Sequence, residues 1–358
     1  MAKILLRNGK IFDGESFLSG EVLIEDGIIA ALGRFEAEID AQTIVMDAEG
    51  CMICPGLVDI QVHTDEISGD PYGFPALLAT VPFGVTAAVD ACANLPAEVS
   101  ADLPIETAAL VSLALQDGEI NYNEIERRLA DYGDRALGVK IYFDRAQGRV
   151  ATLAEIREVS AFAKGRGLLT MVHCTDSPAP MKDIARALSK GDILTHAYHG
   201  APHTVADEGY AAYRLAKEKG IVIDAGMAGG VHTDLAVLKG AIERGFFPDV
   251  ISSDITRFSA YTRGGIYGIT MCMSICRALG MSEEAVLRAV TSRAAAAVKR
   301  EGRWGRLTAG GRADLCVLSF GAAEIDIEDK AKNRLQIQEG YTCRLTVKDG
   351  RILYRNGV

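Results

Sequence analysis

The sequence predicts an α/β protein, a (β/α)8 TIM barrel with a small β-sandwich domain built from both termini. Three observations lead there. In the middle of the chain, short apolar runs recur at the spacing of βα units, with helical periodicity between them. Several of these runs stop abruptly on histidine, lysine or aspartate, as barrel strands do where they deliver side chains to the C-terminal rim. At both ends of the chain, Asn-Gly and Asp-Gly pairs separate alternating apolar residues, a strong hairpin signal.

In chain order, residues 1–52 read as short strands with tight turns: Ile4-Leu5-Leu6, Lys10-Ile11-Phe12, 21–25 and 28–33, punctuated by Asn8-Gly9, Asp13-Gly14 and Asp26-Gly27. The same style returns in 312–318, 346–350 and 351–357, so 1–52 and 305–358 are expected to pair into one sandwich, with 53–304 inserted between its halves as the barrel. The candidate barrel strands are 57–63, 85–90, 108–115, 137–142, 169–173, 193–196, 221–225 and 250–254. Helical periodicity marks 151–165, 181–190, 207–219 and 235–245, and 271–279 and 283–298 follow the last strand. An open doubly wound sheet fits less well, because no GxGxxG turn follows the first strand and ligand-bearing ends continue to the eighth.

A chain of 358 residues with 49% hydrophobic content fills a barrel-sized core with an appendage. Its net charge of -10, with a pI near 5.2 and no long Lys/Arg run, argues against nucleic acid or an anionic membrane as partner. The expected partners are a small-molecule substrate and, at most, further copies of the chain. No apolar run approaches about 18 residues, and charge interrupts the N-terminus too early for a signal peptide, which places the protein in the cytoplasm. The eight cysteines are then reduced thiols rather than a disulfide framework; Cys51-x2-Cys54 and Cys272-x3-Cys276 lack the partners of a structural zinc site.

The first strand enters through Pro55-Gly56 and ends on His63. Strand four ends near Lys140, strand five on His173, strand six on His196 and strand eight on Asp254. Each has an ordinary explanation as a satisfied core residue or a snorkelling lysine. Gathered on one rim, with three of only six histidines at strand ends, they point to a metal site.

These residues carry a resemblance to the amidohydrolase superfamily. Pro55-Gly56-Leu57-Val58-Asp59 before a strand-end histidine, Gly138-Val139-Lys140, the two later histidines and Ser252-Ser253-Asp254 are similar to its motifs, as is the return run Leu307-Thr308-Ala309-Gly310-Gly311-Arg312-Ala313-Asp314-Leu315. The runs 248–254 and 195–200 most resemble its dihydroorotase-like and N-acyl amino acid deacetylase branch. The resemblance implies a divalent metal, usually zinc, held by His63, a carboxylated Lys140, His173, His196 and Asp254. It also implies hydrolysis of an amide C–N bond in a small acylated amino acid or cyclic amide, with metal-activated water and Asp254 as general base. The alternatives are a phosphorus-ester or anhydride hydrolase of the same superfamily, whose first strand also ends His-Thr-Asp, and a non-catalytic binding barrel.

One departure stands out: the family's first strand ends His-x-His, and this chain has Gln61-Val62-His63. An amide replaces one imidazole, so one tightly held ion is expected and a second weak or missing, unless the Asp65 carboxylate compensates. Tyr142, Arg145, His199, Arg257 and Arg263 are the candidate substrate-binding residues, arginine for its bidentate grip on a carboxylate. His232, after Gly229-Gly230, is expected on a flexible loop able to close over ligand.

Overall fold

The computed structural model describes residues 3–69, 72–95, 103–147, 151–261 and 267–357. Seven strands in the middle of the chain, Leu57–Val62, Val85–Ala93, Glu106–Ser112, Ala136–Tyr142, Leu169–His173, Ile193–Thr195 and Val222–Ile223, form one sheet. They pair in sequence order and in parallel throughout. Parallel neighbours need crossovers, and these carry helices such as Leu153–Gly165, Met181–Ala187 and Leu235–Ile242 back over the outer face. All C-terminal strand ends therefore point to one rim.

The eighth run forms no regular strand, which corrects the expectation of a strand over 250–254. Its backbone still joins the two sheet edges. Ala225 N–H donates to the Val250 carbonyl on one side, while Asp254 N–H donates to the Gln61 carbonyl and His63 N–H to that of Ile255 on the other. The barrel closes through these bonds. Two features break the extended run: Asp254 lies in the left-handed region at φ 50°, and the buried Asp59 carboxylate accepts the Ser253 N–H.

Inside the barrel, Val58, Ile60, Val89, Leu110, Leu137 and Met171 form one cluster, closed below by Val298 and Trp304. Intervening strand residues such as Leu57, Ala88, Val139 and Val172 join the second, larger cluster, so both faces are buried, as parallel strands require. Local rules account for several helix limits. Thr152 and Glu155 form a reciprocal capping box before Leu153–Gly165. The expected helix over 283–298 splits into Glu283–Ala289 and Ser292–Ala297 where Thr291 leaves helical geometry and its hydroxyl donates to the Leu287 carbonyl. A helix the sequence reading did not anticipate, Tyr122–Tyr132, starts at Asn121, whose side chain accepts the Glu124 N–H.

The chain ends form two further sheets. One orders Ile28–Gly33, Glu21–Glu25, Lys3–Arg7 and Thr43–Asp47; the other orders Arg351–Arg355, Arg334–Lys348, Leu315–Glu328, Cys51–Pro55, Lys10–Phe12 and Phe17–Leu18. Ile4, Leu6, Val22, Ile53, Val317 and Leu345 join them in one apolar core. Strand Cys51–Pro55 pairs with Leu315–Glu328 and runs on, one residue later, into the first barrel strand. Sandwich and barrel are thus tied at the residue where the barrel begins. All eight cysteines are free, and among the described residues no helix is long and apolar enough to cross a membrane.

Candidate active site

Three imidazoles meet at the C-terminal rim. The His173 and His196 ring centroids lie 4.3 Å apart, those of His196 and His232 4.6 Å, and those of His173 and His232 5.0 Å. One ring nitrogen of each falls within 4.8 Å of the others. Asp254 sits beside them, with Oδ2 3.7 Å from His232 Nε2 and 4.0 Å from His196 Nε2, and with Oδ1 3.1 Å from His63 Nε2.

The backbone aims these groups. His196 and Asp254 both take left-handed φ values, 58° and 50°, at the ends of their runs. Such geometry costs a non-glycine residue about 1–3 kcal/mol and persists where the surroundings enforce it. Here Gly226 enforces it: its carbonyl accepts from His196 Nδ1 at 2.6 Å, and a Cβ at this position would lie 2.6 Å from that same nitrogen. With the proton on Nδ1, His196 presents Nε2 as a lone pair. His173 is fixed through its other nitrogen, Nε2, which faces Asp144 Oδ2 and Thr175 Oγ1 at 2.9 Å each, leaving Nδ1 uncommitted in that network. Imidazole ligands are oriented by such carbonyl and carboxylate partners.

Burial sets the charge states. It lowers the pKa of His173, with the Lys140 charge adding to it against the Asp144 hydrogen bond; it lowers His196 well below 6.5 and His232 to about 3. All three are neutral at pH 7, the form that ligates. Asp254 is also buried, which raises its pKa, yet the hydrogen bond with His63 and the neighbouring imidazoles carry it well below 3.8, so it is ionised. Lys140 is fully buried; desolvation lowers it to about 8, and Asp254 and Asp224 only partly oppose this. Its hydrogen bond runs to the Met171 sulfur at 3.2 Å, a weak acceptor that does little to hold an ammonium charge. Neutral nitrogens beside an ionised carboxylate are a donor set that fits a divalent metal.

Gln61 stands within this set. Its carbonyl accepts from the Thr195 hydroxyl at 2.6 Å, and its NH2 donates to Asp254 Oδ1 at 2.9 Å and faces His196 Nε2 at 3.2 Å. The reverse orientation would set an oxygen against the carboxylate. Gln61 therefore offers the site N–H groups and no lone pair. Asp65, the exception weighed for the missing imidazole, is engaged elsewhere: its two oxygens lie 3.0 and 3.1 Å from Arg257 Nη2. The His63 loop is held instead by buried Asp90, which accepts from the Thr64 N–H, the Thr64 hydroxyl and the Ser68 hydroxyl.

A cavity of about 370 Å³ opens above the cluster. His63, His173, His232 and Asp254 reach it, as do Cys92, Tyr72, Tyr142, Val231 and Phe258. Of the expected substrate contacts among the described residues, only Tyr142 lines it. Arg145 pairs with Asp176 at 2.8 Å, Arg257 with Asp65, and His199 is buried away from the lining. Arg263 lies outside the described residues. Lys140 and His196 are fully buried and do not line the cavity. The sequence reading missed Tyr72 and Phe258, which carry no motif. It placed His232 on a flexible loop, whereas the structure packs it against the other two imidazoles.

The chain is similar to known proteins along its length. A model of the amidohydrolase family, Amidohydro_3, matches residues 251–354. A deacetylase of Agrobacterium fabrum is 28% identical over 356 residues, covering 92% of this chain and 86% of that protein. A deacetylase of Brucella anthropi is 26% identical over 329 residues, covering 85% and 80%. The crystal structure of a dihydroorotase superposes with a TM-score of 0.86 at 24% identity, over 99% of this chain and 98% of that one. That of an adenine deaminase does so with a TM-score of 0.85 at 21% identity, over 99% of each.

Proposed function

Because the chain belongs to the amidohydrolase superfamily and is a hydrolase acting on C–N bonds, we propose that it cleaves the amide of a small N-acylated amino acid, using one tightly held zinc ion. The observation that carries this reading is the meeting of neutral imidazoles from separate strand ends with ionised Asp254 at the floor of one cavity.

The residues that would hold the ion are His173 through Nδ1, His196 through Nε2 and Lys140 as its carbamate, and His63 and Asp254 stand beside them, hydrogen-bonded to each other. A buried lysine whose pKa is about 8 is neutral in about a tenth of molecules at pH 7. That amine bonds to carbon dioxide, releases one proton and becomes the carboxylated side chain that an ammonium cannot imitate. The chemistry such an ion supplies is acidification of water and polarisation of the scissile carbonyl.

Asp254 does the proton work. It takes a proton from the attacking water as the water oxygen bonds to the acyl carbon, and hands it to the departing nitrogen as the C–N bond breaks. The Gln61 NH2 and His63 both address Oδ1, so Oδ2 is the oxygen left to face the reacting atoms. Tyr72, Tyr142, Val231 and Phe258 wall the cavity and keep bulk water away from the reaction.

Two features favour an acylated amino acid over the alternatives. The deacetylase relatives match most of the chain. Among the described residues no arginine or lysine lines the cavity, which suits a neutral acyl group better than a multiply charged phosphorus ester. The test is a panel of N-acetyl and N-formyl amino acids, cyclic amides and phosphate esters, scored for released amine and released phosphate. Amine from the N-acyl amino acids is the expected result. Phosphate release with no amine from any amide would overturn the assignment.

A further inference from the structure

We infer that His232 is a metal ligand: it supplies the third imidazole nitrogen to the ion of His173 and His196, in a chain whose first strand has Gln61 in place of a histidine. The inference rests on the metal-site reading above and goes beyond it, since it adds a ligand from an irregular turn where the sequence motifs place none.

The geometry is specific. Every pair among the three rings is within 5.0 Å between centroids, and their candidate ligand nitrogens lie within 4.8 Å of one another. Nitrogens that share a tetrahedral ion at about 2.1 Å stand about 3.4 Å apart, so a modest closure of the rings completes the set. His232 packs edge-on against His173 at 83° and tilted against His196 at 52°, so its ring is set by the imidazole cluster as well as by the cavity it lines.

The turn that carries His232 is anchored on several sides. Ala228 N–H donates to the Ser253 carbonyl at 2.9 Å, His232 N–H to that of Met227, and Lys330 N–H to that of Gly230. Just beyond, Asp234 caps the helix Leu235–Ile242 through the N–H groups of Ala236 and Val237. Bonded to the Asp254 loop, to the long sandwich hairpin and to a helix start, the turn holds its side chain in place and does not swing as a lid would. The His232 side chain remains 25% exposed toward the cavity, so the site is open on the substrate side.

The exchange is chemically coherent. Gln61 turns N–H groups to the site and cannot ligate, and Asp65 is held by Arg257, so the first strand contributes no second donor. Three neutral imidazoles beside the single negative charge of a Lys140 carbamate would leave the ion a net positive charge with which to acidify water.

The test uses the full-length holoprotein. Zinc X-ray absorption counts coordinated imidazoles without any substitution; three support the inference and two overturn it. In parallel, zinc affinity by chelator competition and the visible spectrum of the cobalt(II)-substituted protein are compared across His232→Ala, His232→Gln and the unmodified chain. Loss of an outer hydrogen-bonding partner weakens metal binding about 10–100-fold, so loss of a ligand should exceed about 100-fold and change the cobalt spectrum. Unchanged affinity with a superimposable spectrum and a raised KM would make His232 a substrate contact and end the proposal. His196→Ala serves as the reference: if it also kept full affinity, the metal-site reading itself would fall, a result distinct from failure at His232 alone.

Discussion

Replacing Asp254 with asparagine removes one property, the capacity to accept a proton, and leaves the local geometry almost unchanged. The amide oxygen can take the place of Oδ1, where it still accepts from the Gln61 NH2 at 2.9 Å and faces His63 Nε2 at 3.1 Å. The amide nitrogen then replaces Oδ2, whose neighbours His232 and His196 are 3.7 and 4.0 Å away, too far for a lost hydrogen bond. The imidazole cluster is untouched, so zinc content should stay close to that of the parent. A general acid–base group contributes about 10²- to 10⁴-fold, which is about 2.7 to 5.5 kcal/mol of barrier. If Asp254 served only to order its neighbours, the change would weaken charged hydrogen bonds worth about 1.5–3 kcal/mol each and would appear in Tm rather than in kcat. The assay is kcat for an N-acyl amino acid, normalised to zinc measured on the same sample. A kcat within a few fold of the parent at equal zinc content would remove Asp254 from the proton transfer.

Further outcomes follow from other parts of the site. His173→Ala and His196→Ala should each lose zinc as well as turnover, measured by elemental analysis after dialysis; full occupancy in both would refute the ligand assignment. Gly226→Ala should also lose zinc, because the new Cβ meets His196 Nδ1 and Thr195 Oγ1 at 2.6 and 2.4 Å and the φ of 50° strains any side chain by about 1–3 kcal/mol; zinc affinity and Tm equal to the parent's would contradict the positioning role of the glycine. Asp59, fully buried, has its pKa raised by burial to about 7 despite hydrogen bonds from Ser253 and Gln61. Its folded-state pKa lies above the unfolded value, so the folded form binds more protons between about pH 4 and 7 and stability falls as pH rises through that window. Metal-free Asp59→Asn should therefore gain on the parent by about 2.6 kcal/mol from pH 5 to 8 in denaturant melts; a difference independent of pH would show that the carboxyl is not neutral when folded.

The rim was legible because a barrel strand buries both faces, so a histidine or aspartate that ends an apolar run has a reason to be there. His63, His173, His196 and Asp254 are all of this kind, and the structure gathers them. His232 was not legible as part of the cluster, since a Gly-Gly turn has no periodicity to say which way its next side chain points. The partners of the arginines were not legible either: sequence shows the charge of Arg145 and Arg257 but not that Asp176 and Asp65 lie beside them. In the fold, the apolar run 250–254 suggested a strand, and the side-chain bonds of Asp59 with the left-handed Asp254 override that propensity. The return strand was expected to end at Leu318, yet it continues to Glu328 as a half-solvated hairpin arm. Its alternation in Glu324-Ile325-Asp326-Ile327-Glu328 is a period-two signal that lies beyond the buried part of the sheet. Asn121 three residues before Glu124 was likewise a readable helix start that the charged face of Tyr122–Tyr132 obscured.

The most direct measurement is turnover of an N-acyl amino acid followed while zinc is added stepwise to metal-free protein, with bound zinc determined on the same samples. Turnover should be absent without metal, rise in proportion to bound zinc and level off at a single ion per chain. In Gln61→His, which restores an imidazole to the first strand, zinc uptake should continue towards a second ion. Turnover at zero metal would contradict a metal-dependent reaction, and a native chain that needs two ions to reach full rate would contradict the single-ion site.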